Sequence, residues 1–258
     1  MSVSAAFEKA RSEGRAALIG YLPAGYPTVD DGIAAMRAMV EAGVDAVEVG
    51  FPYSDPVIDG PVIQRATEAA LAGGVRARDV LRTVEAVAAA GAPVLLMTYW
   101  NPVERYGVDR FARDLAAAGG AGLITPDLIP DEAGSWIVAA DEHGLDKVFL
   151  VSPSSTDSRV AMTAAACRGF IYATAVMGVT GAREDVSSAA PTLVARVREV
   201  TTTPVAVGLG VRDGAQAAAV GAYADGVIVG SALVSALGDG GIDGVRALSE
   251  DLAAGVRR

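Results

Sequence analysis

The first predicted strand and the turn after it read ALIGYLPAGYPT, from Ala17 to Thr28. An open, doubly wound α/β sheet normally begins with a G-x-G-x-x-G turn after its first strand, because those glycines let the backbone approach a pyrophosphate. The turn LPAGYPT does not have that spacing. It argues against a dinucleotide-binding sheet and favours a closed barrel for a chain built from alternating strands and helices.

Short β-branched runs recur along the chain with amphipathic stretches between them. They lie near Ile19, Val47, Leu95, Leu123, Phe149, Ile171, Val207 and Ile228, which makes eight candidate strands. Eight alternating β and α units within about 250 residues favour closure of a parallel sheet into a barrel. No linker divides the chain, so the sequence predicts one α/β domain over residues 1–258, a (β/α)8 TIM barrel.

The predicted helices have apolar residues at helical spacing and glycines where they end. The apolar faces include Ile33, Met36 and Val40, then Val80, Val84 and Val87, then Val245, Leu248 and Leu252. The helix-ending glycines are Gly43, Gly91, Gly119, Gly144 and Gly221. His143, the sole histidine, stands just before Gly144 and is interpreted as a helix C-terminal residue.

Composition excludes several classes of partner. The net charge is −10 and no basic stripe is present, so nucleic acid is not expected, and a phosphorylated ligand must be held locally by backbone N–H groups. No apolar run reaches the roughly 18 residues that a membrane span needs. The start, MSVSAAFEKARSEGR, lacks the apolar run of a signal peptide, so we expect a cytoplasmic protein.

The segment VEVGFPYSDPVIDGP, from Val47 to Pro61, carries the main candidates for chemistry. Strand alternation places Val47 and Val49 toward the helices and aims Glu48 into the barrel mouth. Desolvation there would raise the pKa of Glu48 toward neutrality, as acid/base catalysis requires. The alternative is an ion pair with an inward-facing arginine, although none is predicted near a strand end.

Two aspartates follow Glu48 in a loop rich in proline and glycine. Asp55 fits an ordinary turn residue as well as a functional one. Asp59 precedes Gly60 and Pro61, where the next helix is predicted to begin, so N-capping competes with catalysis. The residues themselves leave both alternatives open.

Glycine-rich turns follow the last strands and suit phosphate binding. Gly208 and Gly210 come after the seventh strand, and Gly230 with Ser231 after the eighth, each pair followed by a helix. Backbone N–H groups at helix N-termini bind phosphate without lysine or arginine. After the sixth strand, Gly178–Gly181 provide a flexible segment that is suited to closing over a ligand.

The sequence lacks the residues that a Schiff-base aldolase or a metal-dependent aldolase requires at its active site. The only lysines are Lys9, before the first strand, and Lys147, at the entering end of the fifth, so a Schiff-base aldolase is not expected. One histidine does not make the cluster that a metal-dependent aldolase uses, so no metal site is predicted. Cys167 is the only cysteine and is interpreted as an inert buried thiol. Carboxylate acid/base chemistry remains.

At this point the chain resembles the tryptophan synthase α subunit family. The resemblance rests on VEVGFPYSDPVIDGP, GVTGARED, VGLGVR and GVIVGSALV, and it covers essentially the whole chain. It implies a lyase that cleaves indole-3-glycerol phosphate into indole and glyceraldehyde 3-phosphate. It also implies that Glu48 protonates C3 of the indole ring and helps remove the glycerol hydroxyl proton, while Asp59 hydrogen-bonds the indole N–H.

The resemblance also assigns binding residues, a partner and cofactors. It places the phosphate at Gly181, Gly210, Gly230 and Ser231, and it places Tyr21, Tyr99, Tyr172 and the lid residue Thr180 near the substrate. The tyrosines fit equally well as amphipathic residues of the barrel rim. It implies a β subunit in an α2β2 complex, contacted by Pro52 and Asp55, with pyridoxal phosphate only in that partner and no cofactor in this chain.

Some residues depart from the family pattern, and two other functions stay open. Tyr21 and Leu209 stand where many members have Phe, and Ile58 often corresponds to Ala, which puts pocket size and loop mobility in doubt. A phosphosugar isomerase would share the glycine turns but does not explain Glu48 with Asp59. A non-catalytic activating subunit would not need that pair.

Overall fold

The computed structural model describes residues 2–174, 189–208 and 210–258. The strands within these ranges are β1 (Ala17–Pro23), β2 (Ala46–Gly50), β3 (Val94–Met97), β4 (Gly122–Ile124), β5 (Asp146–Val148), β6 (Leu150–Val151), β7 (Ile171–Thr174), β8 (Val205–Gly208) and β9 (Gly226–Val229). The helices are α1 (Ser4–Ser12), α2 (Val29–Glu41), α3 (Pro61–Ala72), α4 (Ala77–Ala88), α5 (Trp100–Tyr106), α6 (Val108–Ala117), α7 (Gly134–Glu142), α8 (Asp157–Ala166), α9 (Ala189–Arg198), α10 (Gly214–Gly221) and α11 (Ser231–Gly255). A 3-10 turn, Pro130–Glu132, precedes α7.

The strands form a parallel barrel in the order β5-β4-β3-β2-β1-β9-β8-β7-β6. The two ends of this order are consecutive in the chain and are separated only by Phe149. The Phe149 carbonyl accepts a hydrogen bond from Tyr172 N at 3.2 Å, while its own N–H faces Cys167 Sγ at 3.4 Å. The predicted (β/α)8 barrel is therefore confirmed, with its fifth strand interrupted where it changes neighbours from β4 to β7.

The interior of the barrel is filled by its own apolar cluster. The strand residues on this inner face include Ala17, Ile19, Ala46, Leu95, Ile124, Val148, Ala206 and Ile228. Val3, Phe7 and Ala10 join it from the N-terminal segment, and the Phe7 ring lies 5.3 Å from that of Phe170, just before β7. The helix α1 thus covers the end where strands begin, which leaves the opposite end for a binding site.

Four of the five predicted helix-ending glycines adopt left-handed backbone. Their φ angles are +101° at Gly43, +94° at Gly91, +80° at Gly119 and +68° at Gly144, a region that glycine enters without a Cβ clash. The fifth, Gly221, also ends its helix as predicted, since it is the last residue of α10, but it does so without left-handed backbone and is followed by Ala222 in right-handed helical backbone. His143 is the C-cap of α7, as predicted.

The longest helix, α11, packs against both α2 and α10 and contributes to the outer apolar layer. It bends at Gly241, where φ is +59° and ψ is −151°. None of the helices in the described ranges is long and apolar enough to cross a membrane.

Candidate active site

Glu48 lies on the inner face of β2, near the end of the strand. Ala46, two residues earlier on the same face, belongs to the inner cluster, whereas Val47 and Val49 pack in the outer layer with the helices. Strand alternation therefore places Glu48 at the mouth, and the residue is only 1% exposed. The sequence-based direction of this side chain agrees with the structure.

The Glu48 carboxyl is buried without compensation. Among the described residues, no group makes a hydrogen bond to its Oε1 and no ion pair includes it. The alternative of a structural arginine pair thus finds no support in the described part of the chain. Burial raises the pKa of Glu48 to about 8, because desolvation disfavours the charged form. A carboxyl group with this pKa both donates and accepts protons near neutrality.

Two tyrosines flank Glu48, of which Tyr21 is buried and Tyr172 is partly buried. Tyr21 on β1 is its register partner, and Tyr172 comes from β7. Burial raises the pKa of both phenols well above their usual range, and the nearby Glu48 charge adds to this in each case. The structure thus brings these two predicted pocket residues to the candidate acid/base group.

Glycines beside the tyrosine hydroxyls make room for them. A Cβ at Gly50 would collide with the hydroxyl of Tyr21, and a Cβ at Gly208 would collide with that of Tyr172. No role was predicted for Gly50, and Gly208 was predicted to bind phosphate. The need for glycine at position 50 could have been inferred from its place at the end of β2, next to the strand that carries the inward-facing Tyr21.

Asp59 is anchored by Tyr99. The Tyr99 hydroxyl donates to Asp59 Oδ1 at 3.0 Å and accepts from the backbone N–H groups of Val57 at 3.1 Å and Ile58 at 3.0 Å. Burial raises the pKa of Asp59, and this hydrogen bond opposes the rise. This anchor of the Asp59 loop comes from the segment that follows β3, so nothing in the sequence of the loop itself indicates it.

Asp59 does not cap the following helix. The N-cap of α3 is Gly60 and makes no side-chain cap hydrogen bond, while Pro61 takes the first helical position as predicted. The Asp59 carbonyl accepts from Gln64 Nε2 at 2.7 Å, so its backbone holds the helix start while its carboxylate turns to Tyr99. The capping alternative is therefore excluded.

The two predicted phosphate turns differ in the structure. Gly230 is the N-cap of α11, without a side-chain cap hydrogen bond, and the buried Ser231 is its first residue. The start of α10 is already occupied: Asp213 caps it by accepting from Gln216 N at 2.8 Å, and Gly214 N donates to Asp251 Oδ2 at 2.7 Å. The helix start that is free of a side-chain cap, as an anion site at a helix end requires, is thus that of α11 and not that of α10.

Gly210 has a backbone conformation that favours glycine. Its φ of +72° lies in the left-handed region, so a residue with a Cβ would be strained there. The remaining predicted residues of this face, Thr180 and Gly181, lie outside the described residues, as do Leu209 and the Gly178–Gly181 segment as a whole.

The predicted partner-contact residues differ in exposure. Pro52 is buried within the chain, whereas Asp55 is exposed and its Oδ2 accepts from Ser54 Oγ at 2.6 Å. Val57, in the same loop, is also exposed, with 73% of its surface accessible. The side chain of Ile58 is half-buried beside Asp59.

Residues rejected as nucleophiles or ligands lie away from the mouth. Lys147, in β5, forms an ion pair with Asp141, and Lys9 lies on α1 at the opposite end of the barrel. Burial raises the pKa of the Cys167 thiol to about 12, so it is not a reactive thiolate at neutral pH. Proton transfer between carboxyl groups and substrate is thus the chemistry that the described residues at the mouth support.

The fold and the site define a (β/α)8 barrel whose mouth holds two carboxyl side chains, those of Glu48 and Asp59, and a helix start without a side-chain cap, an arrangement suited to acid/base chemistry on an anionic substrate. The sequence profile described as "Tryptophan synthase alpha chain" matches residues 7–255. The chain therefore belongs to the tryptophan synthase alpha chain family.

Individual relatives agree over nearly the full length. A "Tryptophan synthase alpha chain" of Mycolicibacterium paratuberculosis is 68% identical over 256 residues, covering 99% of this chain and 94% of the relative. A structure of Mycobacterium tuberculosis tryptophan synthase superposes with a TM-score of 0.96 at 63% identity, covering 99% of this chain and 98% of that one. The alpha subunit from Legionella pneumophila, 32% identical, still reaches a TM-score of 0.87, with 99% and 98% covered.

Proposed function

We propose that this chain cleaves indole-3-glycerol phosphate into indole and glyceraldehyde 3-phosphate, a step of L-tryptophan biosynthesis. The observation that carries the proposal is Glu48, a buried and uncompensated carboxyl at the barrel mouth whose pKa is raised to about 8. An unpaired buried acid lowers the stability of the folded protein, and a carboxyl group of this kind at a barrel mouth indicates a functional role. Family membership supplies the reaction in which it is used.

Glu48 acts first as a general acid and then as a general base within one turnover. In its protonated form it donates a proton to C3 of the indole ring, which makes the ring cationic. The resulting carboxylate then accepts the proton of the glycerol hydroxyl next to the ring. As that hydroxyl becomes the aldehyde carbonyl, the carbon–carbon bond breaks and its electron pair returns to the ring, giving neutral indole. Glu48 ends the cycle protonated, as it began.

Asp59 stabilises the charge that appears on the ring. Its carboxylate accepts a hydrogen bond from the indole N–H, and its negative charge favours the ring cation formed when C3 is protonated. Because the protonated indole itself is the electron sink, the chemistry needs neither a lysine Schiff base nor a metal ion. We therefore expect this chain to work without a cofactor of its own.

The phosphate is proposed to bind at the uncapped start of α11. Gly230 and Ser231 would present backbone N–H groups there, with the left-handed Gly210 turn alongside and Gly181 completing the site. The nearest neighbours of a Cβ at Gly230 would be atoms of the Tyr21 side chain, at 3.4 Å or more, so the absent side chain leaves space for a ligand and is not required by close packing. Tyr21 and Tyr172 would line the space between phosphate and carboxylates, with Thr180 in the closing segment.

A β subunit is the proposed partner and receives the indole. The exposed Asp55 and Val57 in the loop after β2 make that loop the expected contact, in an α2β2 heterotetramer with pyridoxal phosphate only in the β subunit. Since Pro52 is buried, its part in the contact would be to shape the loop. The complex is expected in the cytoplasm, where its phosphorylated substrate would be found.

The experiment is an assay of indole released from indole-3-glycerol phosphate, with and without a β subunit. We expect slow release by the isolated chain and faster release in the complex, because partner contacts that favour closed loops raise the fraction of competent enzyme. A phosphosugar isomerase would convert its sugar phosphate and release no indole. A non-catalytic activating subunit would release none under either condition, and either result would overturn the proposal.

A further inference from the structure

The loop after β2 forms three hydrogen bonds with the Tyr99 hydroxyl and so occupies its donor and acceptor positions. Tyr99 is 5% exposed, and its oxygen accepts two backbone hydrogen bonds, from Val57 N and Ile58 N, and donates one, to Asp59 Oδ1. A phenol has one proton to donate, and both backbone groups are obligate donors. The Tyr99 proton must therefore point to the Asp59 carboxylate.

Asp59 depends on this one contact. Among the described residues, no other side chain or backbone group donates to its carboxylate. The phenols of Tyr99 and of Tyr21, from β1, are the titratable groups of the described elements that interact with it. No cation from those elements faces it, so the Tyr99 hydrogen bond is what opposes protonation of this partly buried carboxylate.

Tyr99 itself stands on a rigid support. It is the N-cap of α5, directly after β3, and the next N–H, of Trp100, donates to both oxygens of Asp127 at 2.9 and 3.1 Å. Its ring lies 5.3 Å from that of Tyr53, whose hydroxyl accepts from Asn101 Nδ2 at 3.0 Å. The loop that carries Asp59 is thus tied to a strand end and a capped helix start.

We propose that Tyr99 is the positioning residue for Asp59, holding its carboxylate at a fixed place beside the indole site and in the ionised form. This inference rests on the proposed function, because it assigns Tyr99 to the charge-stabilising step of that reaction. Tyr99 acts through Asp59 and transfers no proton to substrate. The two backbone hydrogen bonds fix the loop, and the third fixes the carboxylate.

The substitution Tyr99→Phe tests the proposal, since it removes the hydroxyl and keeps the ring. We expect kcat/KM for indole release to fall about 10- to 100-fold, the usual effect of losing a hydrogen bond to a charged group. Most of the loss should fall on kcat, because the ring charge exists only after protonation. The acid limb of the pH–rate profile should move to higher pH, because the lost donor lets the pKa of Asp59 rise.

The substitution Tyr106→Phe is the matched control. Its hydroxyl donates to Asp114 at 2.7 Å, so the variant loses the same kind of bond at the far end of α5. Its kcat and pH profile should equal those of the wild type. Circular dichroism and thermal unfolding of both variants establish that the fold is retained.

A double-substitution cycle separates positioning from general loop support. In an Asp59→Asn background, Tyr99→Phe should cost little, because the residue through which it acts is already altered. An equal fold-loss in both backgrounds, or a Tyr99→Phe enzyme with wild-type kcat and pH profile, would overturn the inference. If the wild type itself released no indole, the proposed function would fail instead, so the two failures are distinguishable.

Discussion

Two carboxylic acids at opposite ends of the barrel are equally buried and differently surrounded. Glu48, at the mouth, and Asp146, at the closed end, are each 1% exposed. Asp146 accepts hydrogen bonds from Ser2 Oγ at 2.9 Å and Val3 N at 2.8 Å, and its other oxygen lies 3.4 Å from Arg168 Nε. Glu48 Oε1 has no partner among the described residues.

Because the two acids are equally buried, it is the presence or absence of hydrogen-bond partners that distinguishes the structural acid, Asp146, from the candidate catalytic acid, Glu48. The bonds of Asp146 hold the N-terminal segment against the barrel and offset the cost of burying the group. Glu48 has no such partners among the described residues, so burial raises its pKa with no hydrogen bond from them to oppose the rise. We interpret Asp146 as a structural residue that stabilises the fold, and Glu48 as a general acid/base.

The largest expected effect is on turnover by Glu48→Gln. The amide keeps the shape but cannot exchange protons, so indole release should fall about 10²- to 10⁴-fold. Stability near neutral pH should be maintained or improved, because no carboxylate needs to be buried. Steady-state indole formation and urea unfolding measure both, and turnover within a few-fold of the wild type would refute the assignment of Glu48.

The next effect is that of Asp59→Asn, which should lower kcat about 10²- to 10³-fold, as expected for losing one preorganised electrostatic contact in the transition state. The amide still accepts from the indole N–H but has no charge to stabilise the ring cation. Asp59→Ala should be at least as damaging. Normal turnover by both variants would remove Asp59 from the chemistry.

The complementary substitution at the closed end is Asp146→Asn. It should lower the free energy of unfolding by about 1–3 kcal/mol, because a carboxylate that accepts several hydrogen bonds is replaced by an amide. Turnover per folded molecule should be unchanged. Urea unfolding with indole release corrected for the folded fraction checks this, and a large kcat loss in a fully folded variant would contradict it.

The last expected effect is a pH dependence of stability, which Glu48 alone contributes and which is spread over several pH units. Its pKa is raised from 4.5 to about 8 on folding, so between these values the folded state holds the proton and the unfolded state releases it. Wild-type stability should therefore fall, relative to Glu48→Gln, as pH rises through this window, by at most about 1.4 kcal/mol per pH unit. Unfolding curves of both proteins at several pH values give the difference, and a constant difference would mean that the pKa is not raised.

The sequence predicted those features that depend on local periodicity. Strand alternation was enough to aim Glu48 into the barrel, and the unsuitable turn after β1 was enough to reject a dinucleotide-binding sheet. The importance of Asp59 came from the family resemblance, because its residues alone fitted a helix cap equally well.

The features missed are contacts between residues that lie far apart in the chain. Tyr99 is 40 positions from the aspartate that it holds, and Asp251 blocks the start of α10 from 37 positions away. The interruption of the fifth strand at Phe149 depends on which neighbours it pairs with. None of these leaves a periodic signal, because each is decided when the barrel closes.

The most direct test of the account compares Glu48→Gln with Asp146→Asn in one assay of indole release, at equal concentrations of folded protein. Both replace an equally buried carboxyl by an amide, but they do so at opposite ends of the barrel and in different hydrogen-bonding surroundings. The account predicts wild-type turnover by folded Asp146→Asn and near-complete loss by folded Glu48→Gln. Substantial turnover by Glu48→Gln, or equal losses in the two variants, would contradict it.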